Sequence, residues 1–178
     1  MPYSNPVFDQ IVKNFIKRHK FTNYLDIGIG SGKYGKIIKN IFPKAKVFGV
    51  EVDKSYIKQF NLKKIYDGVY NEKIETFINN RPDFITELAI IGDCIEHLKK
   101  SNGLNLIHFL VYRCKYILIV FPSKYIQYSW QGHTSEAHMS VWDEKDFEQF
   151  DYKFRKKKFI NLVVVRGYLS DPAAIVKS

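Results

Sequence analysis

One short stretch constrains this chain more than any other: Tyr24–Gly35, reading YLDIGIGSGKYG. The apolar run Tyr24-Leu25-Asp26-Ile27 meets Gly28, Gly30 and Gly32 at once, and a helix-compatible stretch follows from Lys33 to Lys39. That order predicts strand, glycine turn, helix. Glycines are needed where the backbone takes positive φ or where a ligand must approach closely. The helix start beyond the turn offers free N–H groups. A chain organised this way folds as an α/β unit with a nucleotide-type cofactor site at the turn.

Two details bear on which cofactor. A dinucleotide loop reads G-x-G-x-x-G and meets a pyrophosphate. Gly30, Gly32 and Gly35 fit that spacing, so spacing alone leaves NAD open. Asp26, however, stands two positions before the first glycine, near the carboxyl end of the strand. A carboxylate there repels a pyrophosphate and favours a cationic group. The segment resembles the first motif of class I S-adenosylmethionine (SAM) methyltransferases. The resemblance implies SAM as cofactor and S-adenosylhomocysteine (SAH) as product. It also implies that Asp26 lies near the methionine amino group, with Gly28, Gly30 and Gly32 passing beneath the cofactor.

A second buried strand is expected at Val47–Val50, ending in Glu51. An acid about 20 residues beyond the glycine loop is where ribose hydroxyls are bound in doubly wound folds. Glu51 takes that role here, and Asp53 caps the helix that starts near Lys54. The resemblance further implies an acid near the adenine amino group. The turn Tyr66-Asp67-Gly68 offers Asp67.

The rest of the chain alternates. Apolar residues at Val7, Phe8, Ile11, Val12, Phe15 and Ile16 give a helical face within 5–20. Helices are expected at Lys33–Ile41, Ser55–Phe60, Asn71–Asn79, Leu104–Tyr112 and Asp143–Phe150, the last with Asp143 at its N-cap. Further strands are expected at Lys64–Tyr66, Leu88–Ile91 and Tyr116–Phe121, with a terminal antiparallel pair at Tyr152–Lys156 and Ile160–Gly167. Strands alternating with helices predict a mostly parallel sheet covered on both faces. The expected fold is therefore α/β: a doubly wound, seven-stranded sheet with an antiparallel C-terminal hairpin. One domain spans 1–178, its core at 23–168, the seven-strand plan of class I methyltransferases.

Ligands in open α/β sheets bind outside the carboxyl ends of the strands. Asp93 falls at that edge, in Gly92-Asp93-Cys94-Ile95-Glu96-His97-Leu98. D-x-x-E-H-L is similar to the segment after the fourth strand of many small-molecule methyltransferases. There it lines the cofactor's methionine part and the substrate entrance. The local alternative is a capping box, with Asp93 capping the next helix and Glu96 closing it. His97 is then a packing residue rather than a base. Methyltransferases of exocyclic base amines carry a different segment here, an Asn or Asp followed by prolines and an aromatic, which argues against that chemistry.

After the fifth strand comes a loop dense in aromatic and titratable groups: Tyr125, Tyr128, Trp130, Gln131, His133, Glu136, His138 and Trp142. Loops carry function more often than the scaffold does. Glu136–Trp142 resembles E-x-H-x-S-x-W segments of methyltransferase-like proteins, several linked to sugar or glycan pathways. Transfer to a hydroxyl requires removal of its proton, for which histidine is suited near neutral pH. His138 or His133 is a candidate base with Glu136 orienting it, and His97 is a third. The alternative is that His138 and Trp142, four apart, pack a helix start onto the sheet.

At 178 residues and 46% hydrophobic composition the chain can bury a substantial core. Its longest apolar run, Tyr116–Phe121, is far short of the ~20 residues a membrane helix needs. Two isolated cysteines, Cys94 and Cys114, form no disulfide framework, and no Cys/His cluster has zinc spacing, so no metal is expected. These features predict a reduced, cytoplasmic protein. The net charge of +10 includes a cluster at Lys153–Lys158. That cluster either binds phosphates or blunts an edge strand.

The sequence therefore predicts a SAM-dependent methyltransferase acting on a small-molecule acceptor, at a hydroxyl, with a sugar or glycan precursor in view. The alternatives are a nucleic-acid methyltransferase using the basic surface and a SAM-binding protein without activity. The small size predicts a site left open or completed by another chain, as in a homodimer.

Overall fold

The most apolar run of the chain becomes an inner strand. In the computed structural model, which describes residues 4–129 and 132–169, seven strands pair into one sheet. They are β1 (Asn23–Ile27), β2 (Lys46–Val50), β3 (Gly68–Tyr70), β4 (Leu88–Gly92), β5 (Tyr116–Pro122), β6 (Tyr152–Lys157) and β7 (Ile160–Arg166). Their order is β3-β2-β1-β4-β5-β7-β6. The first five are parallel. β7 runs antiparallel between β5 and β6. The expected α/β sheet with an antiparallel C-terminal hairpin is what forms.

Five helices cover the sheet: α1 (Asp9–His19), α2 (Lys33–Ile41), α3 (Lys54–Gln59), α4 (Ile74–Asn80) and α5 (Lys100–Val111). Parallel strands buried on both faces read as continuous apolar runs, and successive side chains divide between two cores. Val12, Ile16, Ile38 and Ile57 pack with Tyr24, Val47, Ile90 and Leu118 on one face. Phe77, Leu106, Ile107 and Leu110 pack with Leu25, Ile27, Ile91 and Ile119 on the other. Both helix layers return the chain so that β1, β2, β4 and β5 end on the same edge of the sheet.

Some expected elements move, each for a visible reason. The third strand is Gly68–Tyr70, not Lys64–Tyr66. Leu62–Lys64 instead forms a 3-10 turn, because Leu62 and Tyr66 are plugs beneath the glycine loop. A Cβ on Gly32 would meet Leu62 at 2.9 Å. The expected helix at Asp143–Phe150 is a short 3-10 turn, Glu144–Phe147. Asp143 does cap it, and a capping box with Asp146 closes its start. The helix expected from Leu104 already begins at Lys100. The lysine-rich segment is β6, an exposed edge strand paired only with β7. Among the described residues, no helix is long and apolar enough to cross a membrane.

Candidate functional site

At the carboxyl edge of the sheet lies a cleft of about 600 Å³, within the range of small-molecule and cofactor sites. The glycine turn forms its floor. Gly28, Gly30 and Gly32 have φ of 70°, 47° and 77°, a region side chains rarely adopt. Gly28 is required for space as well, since a Cβ there would stand 2.4 Å from Cys94 Sγ. Gly28 and Gly30 line the cleft together with Ile27 and Val50.

Glu51 ends β2 on the cleft wall and is 6% exposed. Its carboxylate accepts from Gly30 N at 2.9 Å and Asp53 N at 2.8 Å. Burial raises its pKa, against the pull of those two bonds. Each carboxylate oxygen keeps a lone pair for a further donor. Asp53 caps α3 as expected, accepting from Ser55 N at 2.8 Å.

Asp26 sits behind the turn rather than on the cleft wall. Its Oδ2 accepts a 2.6 Å hydrogen bond from Tyr66 Oη, and its Oδ1 is buried without a partner. Burial pushes its carboxyl up to about 7, only partly countered by Tyr66. Tyr66 Oη also accepts from Gly35 N at 3.3 Å, and the Tyr66 ring fills the space a side chain at Gly35 would need. Asp26 thus places beneath the turn a buried acid that ionises fully only above about pH 7.

Asp93 lines the cleft with φ of 47°. Its Oδ2 accepts from Asn5 N at 3.0 Å, and Lys33 Nζ donates to Ser4 O at 3.2 Å and Asn5 O at 3.0 Å. The segment before α1 is therefore strapped across the β4 edge. Burial raises Asp93 to about 6 despite the Asn5 bond and Lys33. The expected capping box does not form. Asp93 is committed to Asn5, and Glu96 is 3% exposed with Oε2 unpartnered.

Asp67 is a correction. It precedes β3, at the amino edge of the sheet and away from the cleft. There it accepts from Val47 N at 2.8 Å and Lys39 Nζ at 2.7 Å. Its burial, which alone would raise the pKa, is outweighed by these partners and Lys46, so the carboxyl lies low. It is a structural ion pair and not an adenine contact.

The three histidines separate. His97 lines the cleft, its Nε2 3.9 Å from Glu136 Oε2 on the same wall. His133 is clasped outside it, Nδ1 donating to Asp53 Oδ2 at 2.5 Å and the ring lying on Tyr56. That bond occupies its Nδ1, and His133 does not line the cleft. His138 stands behind His97, ring centroids 4.9 Å apart, and does not line the cleft. Trp142 is core, under Gly103 and against Phe147, but no helix joins it to His138. Trp130 and Gln131 lie outside the described residues. Four positions escaped the sequence reading: Tyr66, Cys94, Ser4 and Asn5. The glycines at 28 and 35 were the available signal for the first two, since each vacates space that another side chain must fill.

No family model matches the chain, and no curated protein sequence does. Solved structures do. A SAM-dependent methyltransferase from Archaeoglobus fulgidus is 17% identical at TM-score 0.63, over 88% of this chain and 93% of that one. An O-methyltransferase family protein from Burkholderia thailandensis is 9% identical at TM-score 0.65, over 92% of this chain and 57% of that one. The N-terminal domain of EvdMO1, solved with SAH and D-fucose, is 12% identical at TM-score 0.63, over 89% of this chain and 82% of that domain. This is the class I methyltransferase fold. In that fold the cleft described here occupies the carboxyl edge, where ligands of open α/β sheets lie. The residues fit a SAM-sized cationic ligand: a floor of glycines with no Cβ in the way, the acid Glu51 on the wall, and the buried acid Asp26 below.

Proposed function

We propose that the chain is a SAM-dependent methyltransferase acting on a hydroxyl of a small-molecule acceptor. One observation carries the reading. The glycine floor has a carboxylate on each side, Glu51 on the wall and Asp26 beneath. That arrangement favours a ligand with hydroxyls to donate and a positive charge to place, and it disfavours a pyrophosphate.

When bound, SAM supplies a methyl group activated by a sulfonium. Gly28 and Gly30 let it approach the backbone, and Glu51 accepts from the ribose hydroxyls. The acceptor enters beside His97, Glu136 and Met139, which border the open side. With SAM held there, Glu136, on the cleft wall 3.9 Å from His97, would be placed to take the proton of the acceptor hydroxyl as the methyl group is transferred. Alignment supplies much of the acceleration in such an in-line displacement. Sugar-like acceptors suit the reading, given the O-methyltransferase and D-fucose complexes among the similar structures.

Titration calorimetry with SAH, and NAD in parallel, tests it. The expected result is micromolar SAH binding, weakened at least tenfold in Asp26→Ala and Glu51→Ala. Binding of NAD instead, or of neither, overturns it. A second reading, methylation of a nucleic acid, is favoured by the basic turn Lys157-Lys158-Phe159, which borders Asn5 and Val7 near the strap. RNA binding that falls steeply with added salt would support it.

A further inference from the structure

Glu96, His97 and His138 each present one ligand-type atom, and these atoms lie within 4.8 Å of one another. The two histidines come from segments far apart in sequence. Backbone bonds close the gap: Met139 N and Ser140 N both donate to Glu96 O, at 2.8 and 3.1 Å. The loop is thus fastened to the very residue that carries the carboxylate.

The hydrogen bonds also fix which atoms are left over. His97 Nδ1 donates to Ala137 O at 3.1 Å, and His138 Nδ1 donates to Tyr125 O at 2.9 Å. A carbonyl only accepts, so each Nδ1 carries the proton and each Nε2 keeps a bare lone pair. Histidines that bind metals are oriented this way, with the second ring nitrogen bonded to a carbonyl or carboxylate. The third donor is Glu96 Oε2, on a side chain 3% exposed and without a hydrogen-bond partner. A buried carboxylate oxygen without a partner, clustered with two imidazoles that each keep a bare nitrogen, calls for a shared cation.

We propose that Glu96, His97 and His138 form a divalent first-row metal site of the two-histidine, one-carboxylate kind, at the acceptor end of the cleft. Such a triad leaves coordination positions open. Donors around one ion are about 3 Å apart, from bonds of about 2.1 Å. Metal binding requires the cluster to contract to that spacing, and His138 is carried on a loop. The open positions face the cleft through His97, which lines it, and take oxygen atoms of the acceptor. That last role rests on the methyl-transfer reading; the metal binding does not. No spacing in the chain signals this site, because a loop and not a local motif delivers the third ligand.

Tag-free, chelator-stripped protein is titrated calorimetrically with ZnCl2 and with MnCl2, and with CoCl2 while visible absorption is recorded. SAH is titrated into the same samples. The expected result is saturable one-to-one binding and a cobalt d–d spectrum with imidazole ligation. His138→Ala and Glu96→Gln each weaken metal binding at least tenfold and leave SAH affinity within about twofold. His108→Ala, a surface histidine on α5, leaves metal binding unchanged. Glu96→Gln keeps the shape of the buried side chain, and His138→Ala changes a loop, so at least one variant folds. The site is overturned if the wild-type chain shows no saturable binding of any of the three ions below about 1 mM, or if both variants bind as the wild type does. Metal binding without SAH binding would keep the site and remove the methyl-transfer reading.

Discussion

Tyr66 Oη reaches Asp26 Oδ2 at 2.6 Å from the far side of the glycine turn, and the same oxygen receives Gly35 N at 3.3 Å. One phenol therefore joins the end of β1 to the first turn of α2. Its other bonds are packing: Gly49 and Gly35 both lack a Cβ where the ring lies. Removing only the hydroxyl isolates the electrostatic part. Tyr66→Phe removes the short hydrogen bond to Asp26 Oδ2, while Oδ1 is already buried without a partner. The expected loss is about 1–3 kcal/mol of stability, read as a lower urea midpoint with unchanged slope. A midpoint equal to wild type would show that Asp26 is protonated and silent in the folded protein.

Burial sets Asp26 near 7, against an ordinary value of 3.8. A raised carboxyl binds its proton more tightly in the folded chain. Its unfavourable contribution is absent below about 4, grows as pH climbs from 4 to 7, and is complete above 7. In the absence of ligand, Asp26→Asn should therefore gain melting temperature relative to wild type as pH rises from 5 to 8. The ammonium group of SAH reverses the preference by favouring the ionised form. SAH affinity of the wild type should rise by up to about tenfold per pH unit below 7 and level off above, while Asp26→Asn stays flat. Parallel profiles in calorimetry would refute the coupling.

Gly28→Ala tests the floor of the cleft. The added Cβ meets Cys94 Sγ at 2.4 Å and Cys94 Cβ at 2.7 Å, at a φ of 70°. Strain of this kind costs about 1–3 kcal/mol. Cys94, which lines the cleft beside Gly28, must shift, so SAH affinity should fall more than tenfold. Gly132→Ala makes the comparison, because φ is 84° there but nothing lies within 4 Å. Its SAH affinity should stay at the wild-type level.

At the opposite edge, Glu87 accepts from Thr22 N at 2.6 Å, Thr22 Oγ1 at 2.7 Å and Lys115 Nζ at 2.8 Å. Its burial, which would raise the pKa, is outweighed by Lys115 and Thr22, and the carboxyl sits at about 2. A depressed carboxyl contributes stability above its unfolded value of 4.5 that is lost as pH falls toward 2. Glu87→Gln should cost about 1 kcal/mol at pH 7, Lys115 being well exposed. It should also flatten the acid side of the stability profile between pH 4.5 and 2, as followed by circular dichroism.

What could be read from sequence was local. Asp26, the three glycines and Lys33–Ile41 are neighbours in the chain, and strand, turn and helix follow from residue chemistry within that window. Asp53 and Asp143 were legible as caps for the same reason. Asp67 was not, because its fate depends on which edge of the sheet it meets. The shift of β3 by a few residues carried it from the expected cleft to a bond with Val47 and Lys39. The capping box at Asp93 failed because Asn5, remote in sequence, took the carboxylate. The histidines of the loop after β5 looked alike in sequence. Only the folded loop distinguishes His133, bound to Asp53, from His97 and His138, which meet across Glu96.

That loop is fastened through main-chain atoms: His138 N to Gln127 O, and Met139 N and Ser140 N to Glu96 O. Of its outward side chains, Tyr125 packs on the His138 ring and Met139 lines the cleft, while Ile126, Tyr128 and Val141 make no such contact among the described residues. Tyr125, Ile126, Tyr128, Met139 and Val141 are all more than half exposed. Ile126, Tyr128 and Val141 can therefore be exchanged while the scaffold stays the same. A library of variants at these rim positions should shift preferences with little loss of folded protein.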